Sequence, residues 1–153
     1  MYLVIVILLM FVCPAVWVVF ELVSSHHSVS ATFLIAKWYV FWAVGIRLFT
    51  AGVRQALQPQ FTAREIFGAE GAESNAIVRE VGFGNLAMGT LGICTLYRPA
   101  WIIPAAIVGG LYYGLAGLMH LARKTRNSTE STAMISDAFA FVVLALVVVE
   151  RWA

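Results

Sequence analysis

Long apolar segments with few charges follow one another along nearly the whole 153-residue chain. A helix needs about 20 apolar residues to cross the roughly 30 Å hydrocarbon core of a bilayer. Five segments come close to or exceed that length: residues 2–23, 31–57, 75–97, 100–121 and 132–149. The pattern predicts an all-α integral membrane protein, with one transmembrane domain over residues 1–153 built as a bundle of five helices.

The first segment predicts a retained transmembrane helix rather than a cleaved signal peptide. No Lys or Arg precedes it. It also outruns the 7–15 residues typical of the apolar core of a signal peptide.

The connection between the second and third segments, residues 58–74, carries a local helix signal. Thr62 followed by Glu65 matches a capping box, and Phe61 with Ile66 matches a hydrophobic staple. These signals predict a short helix near residues 63–67, lying at the membrane surface.

Composition supports a membrane class and narrows the partners. Hydrophobic residues make up 61% of the chain and charged residues 12%, about half the roughly 25% of a soluble domain. The net charge of +2 is small and its Lys and Arg are scattered, so nucleic acid is not an expected partner. The expected partners are the lipid bilayer, an apolar small molecule, and further copies of the chain or a larger membrane complex.

The distribution of Lys and Arg predicts a cytoplasmic N-terminus in a multi-pass protein of the cell inner membrane. In that orientation the cytoplasmic ends of the spans carry five basic residues and the outer ends two. The cytoplasmic group is Arg54, Arg64, Arg123, Lys124 and Arg126, and the outer group is Arg98 and Arg151.

A second polar group surrounds the first outer connection. Glu21, His26, His27 and Lys37 lie there. Because adjacent side chains point to opposite sides of a helix or strand, we expect His26 and His27 to be exposed loop residues rather than metal ligands.

Small residues predict close packing between helices. The third helix carries four such positions along one side, at Gly82, Asn85, Gly89 and Gly92. They would let another helix approach closely while the Asn85 amide forms a hydrogen bond across the contact. Gly110 and Gly114 give the fourth helix a similar pair of small residues.

Ionisable side chains inside the apolar segments fall toward the predicted cytoplasmic half. Placing such a group in a membrane costs roughly 2.5–3.5 kcal/mol on insertion scales, which makes these residues candidates for a site. Because the helices alternate in direction, we expect Glu80, His120 and Asp137 to meet at a similar, shallow depth. The predicted ligand-binding residues are Arg47, Arg54, Glu80, Asn85, Tyr113, His120 and Asp137.

These residues leave several interpretations open. Arginine–carboxylate pairs would lock helix register without any ligand. Alternatively, an acid near His120 and Tyr113 would exchange protons with a bound apolar molecule while Arg47 holds its polar head. Proton-coupled transport by an oligomer is a further alternative. Glu80, His120 and Asp137 have suitable atoms for a divalent metal, but they come singly from three helices, and we predict no metal site. No motif identifies a cofactor or a reaction.

Two stretches resemble known membrane proteins. They are REVGFGNLAMGTLGI, from Arg79 to Ile93, and YYGLAGLMH, from Tyr112 to His120. Both resemble small multi-helix membrane proteins of bacteria and archaea that lack an assigned function. The arrangement is distantly similar to the DoxX-like group, whose members are compact helical bundles and include a subunit associated with thiosulfate:quinone oxidoreduction. The resemblance implies quinone chemistry as one option, beside a lipid-like ligand.

Overall fold

Helices form wherever the apolar segments lie. The computed structural model describes residues 2–26, 28–123 and 127–152, and every regular element in those ranges is a helix. The helices are α1 (Tyr2–Ser24), α2 (Ala31–Leu57), α3 (Pro59–Glu65), α4 (Ala72–Cys94), α5 (Pro99–Ala122) and α6 (Ser128–Trp152). The all-α prediction is confirmed. His27, Lys124 and Arg126 lie outside the described residues.

Four of the described helices, α1, α2, α5 and α6, are long and apolar enough to cross a membrane. This is the architecture of a multi-pass membrane protein. Helix α4 has 23 residues, about 35 Å of helix, but its first half carries Glu73, Arg79 and Glu80. Helix α4 is long enough to span, but it is not among the four helices that are also apolar enough, so the count of five spans is not confirmed.

Helices α2 and α4 meet along a line of glycines that we call the glycine seam: Gly45, Gly52, Gly82, Gly89 and Gly92. A Cβ atom added at Gly89 would lie 2.4 Å from the backbone nitrogen of Phe49, and one at Gly92 would lie 2.4 Å from that of Gly45. Such distances leave room for hydrogen only, so the two backbones are in direct contact.

Asn85 lies beside the glycine seam and forms the hydrogen bond expected of it. Its Nδ2 donates to Oε1 of Gln55 on α2, at 2.7 Å. The predicted close approach of a second helix to this side of α4, with a hydrogen bond across, is confirmed. The partner glycines on α2 were not predicted.

Helices α5 and α6 form a second close pair. A Cβ at Gly114 would lie 2.8 Å from the Phe141 ring, and one at Gly110 would lie 3.4 Å from Cβ of Leu144. The two helix pairs touch where Gly109 of α5 packs against Val44 of α2. One turn further along α5, the Tyr113 hydroxyl donates to the Ala43 carbonyl oxygen, within a π-helical stretch Val40–Ile46 of α2.

Helix α1 closes the bundle through aromatic and ionic contacts. The rings of Phe11 and Phe139 lie 4.6 Å apart, and Trp17 stacks on Trp38 at 4.7 Å. Near the connection between α1 and α2, Lys37 Nζ donates to both oxygens of Glu21 at 2.7 Å. The predicted polar group is therefore present there.

A tryptophan of α2 also binds this ion pair. Trp38 Nε1 donates to Glu21 Oε2 at 2.6 Å, so Glu21 accepts from two side chains of α2. His26 is exposed, as expected.

The short helix α3 lies earlier in the chain than predicted. It begins at Pro59 and ends at Glu65, with Gln58 as the N-cap residue and no side-chain cap. Proline is favoured at the first helical position because its fixed φ suits the helix and it has no N–H to leave unpaired. Thr62 lies inside the helix instead of capping it, so the capping-box prediction is wrong.

Candidate functional site

A cavity of about 700 Å³ lies between the helices at one end of the bundle. Its lining comes from the first halves of α1 and α6, the second halves of α2 and α5, the middle of α4, and α3 with the turn that follows it. Because successive long helices run in opposite directions, the listed halves share the end that was predicted to be cytoplasmic. The volume falls within the roughly 300–1,000 Å³ range of small-molecule sites.

The cavity wall is mainly apolar. Residues from five parts of the fold contribute large hydrocarbon or aromatic surfaces, among them Leu9, Ile46, Phe61, Val81, Leu115 and Met119. The α2 and α5 residues that line the cavity all follow Val44 and Gly109, where the two helix pairs touch, so the cavity lies on one side of that contact. An apolar wall with a few polar groups is typical of a site for a hydrophobic or amphipathic molecule.

Arg47 and Asp137 form a buried ion pair at the wall. Arg47 Nη2 donates to Asp137 Oδ1 at 2.9 Å and to Ser136 Oγ at 2.8 Å. The two charged side chains are 11% and 10% exposed, which puts the pair largely out of reach of solvent. Arg47 lies ten residues before the end of α2, about 15 Å along the helix axis, so the pair is deep in the bundle.

Two further contacts hold the Arg47 guanidinium. Its Nη1 donates to Met10 Sδ at 3.4 Å, and its central carbon lies 4.8 Å from the centre of the Tyr113 ring. A buried ion pair offsets its desolvation cost only with good geometry and additional hydrogen bonds. This pair has both, and it still contributes polar surface to the cavity.

His120 lies nearer the end of the bundle, in a separate polar cluster. Its Nδ1 is 3.3 Å from Glu130 Oε1, and Arg123 Nη1 donates to the same oxygen at 2.9 Å. His120 lines the cavity, whereas Glu130 is 4% exposed at the side chain and lies behind it.

Arg123 and Asn127 tie this cluster to α3. Arg123 donates to the carbonyl oxygens of Ile66 at 3.0 Å and Phe67 at 2.7 Å, and Asn127 Nδ2 donates to that of Glu65 at 2.8 Å. Carbonyls at the C-terminal end of a helix lack partners within the helix, so these side chains satisfy them. The turn that carries Ile66 and Phe67 along the cavity is thereby fixed to the end of α5 and the start of α6.

Arg54 lies on the same face of α2 as Arg47, two helical turns closer to the end. Its guanidinium carbon lies 3.5 Å from the centre of the Phe61 ring of α3. Among the described residues no carboxylate lies within ion-pair distance of it. Arg54 is thus a cation on the cavity wall that is held by an aromatic ring.

A family comparison adds to this geometry. Residues 4–152 match the model of a family described as a family of unknown function, DUF6790. The chain belongs to the DUF6790 family. No match was found among curated proteins or among solved structures. The family match spans nearly the whole chain, so the cavity is built entirely from residues within the DUF6790 region, apart from Tyr2.

Most of the predicted site residues line this same cavity. Arg47, Arg54, Asn85, Tyr113, His120 and Asp137 all contribute to its wall. Whether they bind a ligand stays a prediction.

Glu80 is the exception, because it is exposed and does not line the cavity. Two residues correspond to about 200° around a helix, so the contact of Gly82 with α2 turns Glu80 away from the bundle. The expectation that Glu80 meets His120 and Asp137 is wrong.

The expected common depth of His120 and Asp137 is also wrong. Helix α6 begins at Ser128, four residues before the predicted segment, which places Asp137 nine residues, about 14 Å, into the helix. His120 lies only two residues from the end of α5. The two side chains therefore belong to two levels, one centred on Arg47 and the other on Glu130.

Sequence reasoning missed Glu130, Ser136 and the fixing role of Arg123. A signal for Glu130 exists: Asn127 followed three residues later by Glu130 is a helix-start pattern, and Asn127 Oδ1 accepts from the Glu130 N–H at 2.7 Å. Glu130 and Asp137 are seven residues apart and share a helix face. No comparable signal pairs Arg47 with Ser136.

Proposed function

We propose that the protein binds a small amphipathic molecule, lipid-like or quinone-like, in the cavity between the two helix pairs. The observation that carries the proposal is an apolar cavity of about 700 Å³ whose wall includes the deep Arg47–Asp137 pair. Hydrocarbon would cover the apolar wall, and a polar atom of the ligand would approach the pair. The proposal includes an inner-membrane location, α4 as a fifth span and a cytoplasmic N-terminus.

The chemistry of Arg47 supports an oxygen-bearing ligand. A guanidinium has five N–H donors, and the hydrogen bonds of Arg47 to Met10, Ser136, Asp137 and Tyr2 do not use all of them. Since Asp137 already balances its charge, Arg47 suits a neutral carbonyl or hydroxyl oxygen. The DoxX-like resemblance of residues 79–93 and 112–120 agrees with the quinone-like option, which stays a prediction.

A cavity-filling variant tests the proposal. Ala116 lines the cavity, and the side chain of an Ala116→Trp variant would occupy it. Leu118→Trp is the matched control, because Leu118 is on the same helix, is 64% exposed and does not line the cavity. Native mass spectrometry with decylubiquinone and with dioleoylphosphatidylglycerol as probes measures occupancy directly.

We expect Ala116→Trp to weaken binding of both probes about tenfold or more, equivalent to about 1.4 kcal/mol, while Leu118→Trp leaves it near the wild-type value. Both variants should elute as folded, monodisperse protein. Unchanged occupancy in a folded Ala116→Trp protein would exclude this cavity as the site.

The same purified sample tests two other functions. A partner chain recovered in a fixed ratio in mild detergent, without either probe bound, would favour an accessory subunit of a larger membrane complex. Proton uptake coupled to a solute by reconstituted oligomers would favour transport. Binding of a probe to an isolated particle supports the proposal.

A further inference from the structure

We propose that the ligand is an anionic amphiphile, with a phosphate or carboxylate head held by Arg54 near the end of the bundle and the rest of the molecule in the cavity. This inference rests on the proposed function, because it specifies the head group of the molecule that the cavity binds. The geometry that points to it is a half-buried arginine on an apolar cavity wall, three residues from the end of α2, with no carboxylate partner among the described residues.

The charges of the cavity wall do not balance. The described lining includes two arginines, Arg47 and Arg54, and one carboxylate, Asp137. Asp137 is hydrogen-bonded to Arg47, so its charge is already used deep in the cavity. Glu130, a buried carboxylate at the end of the bundle, is engaged by Arg123 and His120. One positive charge, that of Arg54, is left for a partner from outside the described chain.

The stacking of Arg54 on Phe61 leaves its donors available. The ring covers one face of the guanidinium plane at 3.5 Å. The N–H bonds lie in that plane, and they form the planar fork that binds two oxygens of a carboxylate or phosphate together. Stacking thus orients the donors of Arg54 without consuming them.

A second donor lies next to Arg54 on the same wall. Gln55 accepts from Asn85 through Oε1, which leaves its amide NH₂ group without a hydrogen-bond acceptor among the described residues. The Gln55 amide could add a hydrogen bond to an anionic head group held by Arg54.

The depth of Arg54 fits a head group rather than a tail. Arg54 precedes the end of α2 by three residues, about 5 Å of helix, whereas Arg47 lies about 15 Å from that end. Anionic lipids attract basic residues at the level of the membrane surface. The apolar residues Ile66, Phe67 and Met119 line the cavity in the same region and would contact the first part of the chain.

A simpler role for Arg54 is an interfacial anchor that extends to the head groups of surrounding lipids. The negative end of the α2 dipole would favour its charge there. An anchor of this kind would show no dependence on the cavity and would behave like Arg64, a cation of α3 that is 63% exposed at the side chain and does not line the cavity. Arg64 is therefore the matched control.

Probes that differ only in head-group charge test the inference. Native mass spectrometry would compare dioleoylphosphatidylglycerol with dioleoylphosphatidylcholine, and oleate with methyl oleate, on wild type, Arg54→Gln and Arg64→Gln. We expect wild type to prefer the anionic member of a pair about fivefold or more. Arg54→Gln should lose that preference and keep its affinity for the neutral member, whereas Arg64→Gln should retain the preference.

The outcomes either distinguish a bilayer phospholipid from a free single-chain acid as the ligand, or overturn the inference. Preference for phosphatidylglycerol alone indicates a bilayer phospholipid, and preference for oleate alone indicates a free single-chain acid. Equal loss of preference in Arg64→Gln and Arg54→Gln would overturn the inference in favour of general surface charge. Wild-type protein that binds neutral probes, loses them in Ala116→Trp and shows no charge preference would overturn the inference while leaving the proposed function intact.

Discussion

The two faces of helix α2 carry different residue types at the same seven-residue spacing. One face presents Gly45 and Gly52, seven residues apart, to the backbone of α4. The other presents Arg47 and Arg54, also seven apart, to the cavity. Seven residues are nearly two turns, so each pair keeps to one side of the helix. The glycines remove all side-chain volume from one contact, and the arginines place long polar side chains on the cavity wall.

The first face determines what the second can do. Backbone contact at the glycine seam fixes the rotation of α2 about its axis, since a turned helix would bring side chains into the contact. With that rotation fixed, Arg47 and Arg54 point between the helix pairs rather than toward acyl chains. The α5/α6 pair touches α2 at Val44, and the cavity lies beyond that contact, on the arginine side.

The largest effect is expected from breaking the ion pair on the cavity face. Asp137→Ala would leave Arg47 buried at 11% exposure without its carboxylate, and removal of one partner of a buried pair typically costs about 3–5 kcal/mol. Unfolding by SDS in mixed micelles measures this loss.

The double variant Arg47→Met/Asp137→Leu separates stability from function. Removing both charges should restore most of the stability, because apolar replacements of buried pairs are often neutral or stabilising. Binding of decylubiquinone should remain weakened. Full binding by the double variant would show that the pair is purely structural.

A smaller effect is expected at the glycine seam. Gly89→Ala places a Cβ 2.4 Å from a backbone atom of α2, so the helices must separate, at a cost of about 1–3 kcal/mol. Gly84→Ala on the same helix is the matched control, because no atom lies within 4 Å of the added Cβ. SDS unfolding should distinguish the two variants. Equal stability would mean that the helices are not in backbone contact, and the comparison of the two faces would fail.

Much of this arrangement follows from helical periodicity and alternating helix direction. These two rules predicted that Arg47, Arg54, Tyr113 and His120 would face one space, and the structure places them there. They are reliable because a helix that spans a bilayer has little freedom apart from rotation and tilt.

The errors have a common cause, which is that rotation and helix ends depend on neighbouring elements. Glu80 could face the bundle only if α4 were free to rotate about its axis. The contact of Gly82 with α2 fixes that rotation and turns Glu80 outward. Asp137 lies deeper than expected because Asn127 starts α6 early. Pro59 likewise starts α3 before Thr62 could cap it. At the starts of α3 and α6 the sequence offers more than one possible first residue, and the sequence pattern alone did not show which one begins the helix.

The smallest effect is expected at Asn85 of α4, which lies beside the glycine seam and also lines the cavity. Asn85 is buried, donates to Gln55 and also lines the cavity, but its Oδ1 has no hydrogen-bond partner among the described residues. Interhelical hydrogen bonds in membranes contribute about 0.6 kcal/mol on average, and the unpaired oxygen offsets part of that gain. Asn85→Leu should therefore change SDS unfolding by less than about 1 kcal/mol.

A double-mutant cycle with Gln55→Leu isolates the contribution of this hydrogen bond, and a coupling of about 0.6 kcal/mol is expected. A coupling of several kcal/mol would mean that side-chain polarity, rather than backbone contact between glycines, holds α2 against α4. In that case the cavity face and the seam would depend on the same polar network, and Asn85→Leu would also reduce decylubiquinone binding. If the coupling is small and binding is retained, the glycines alone set the rotation that directs Arg47 and Arg54 into the cavity.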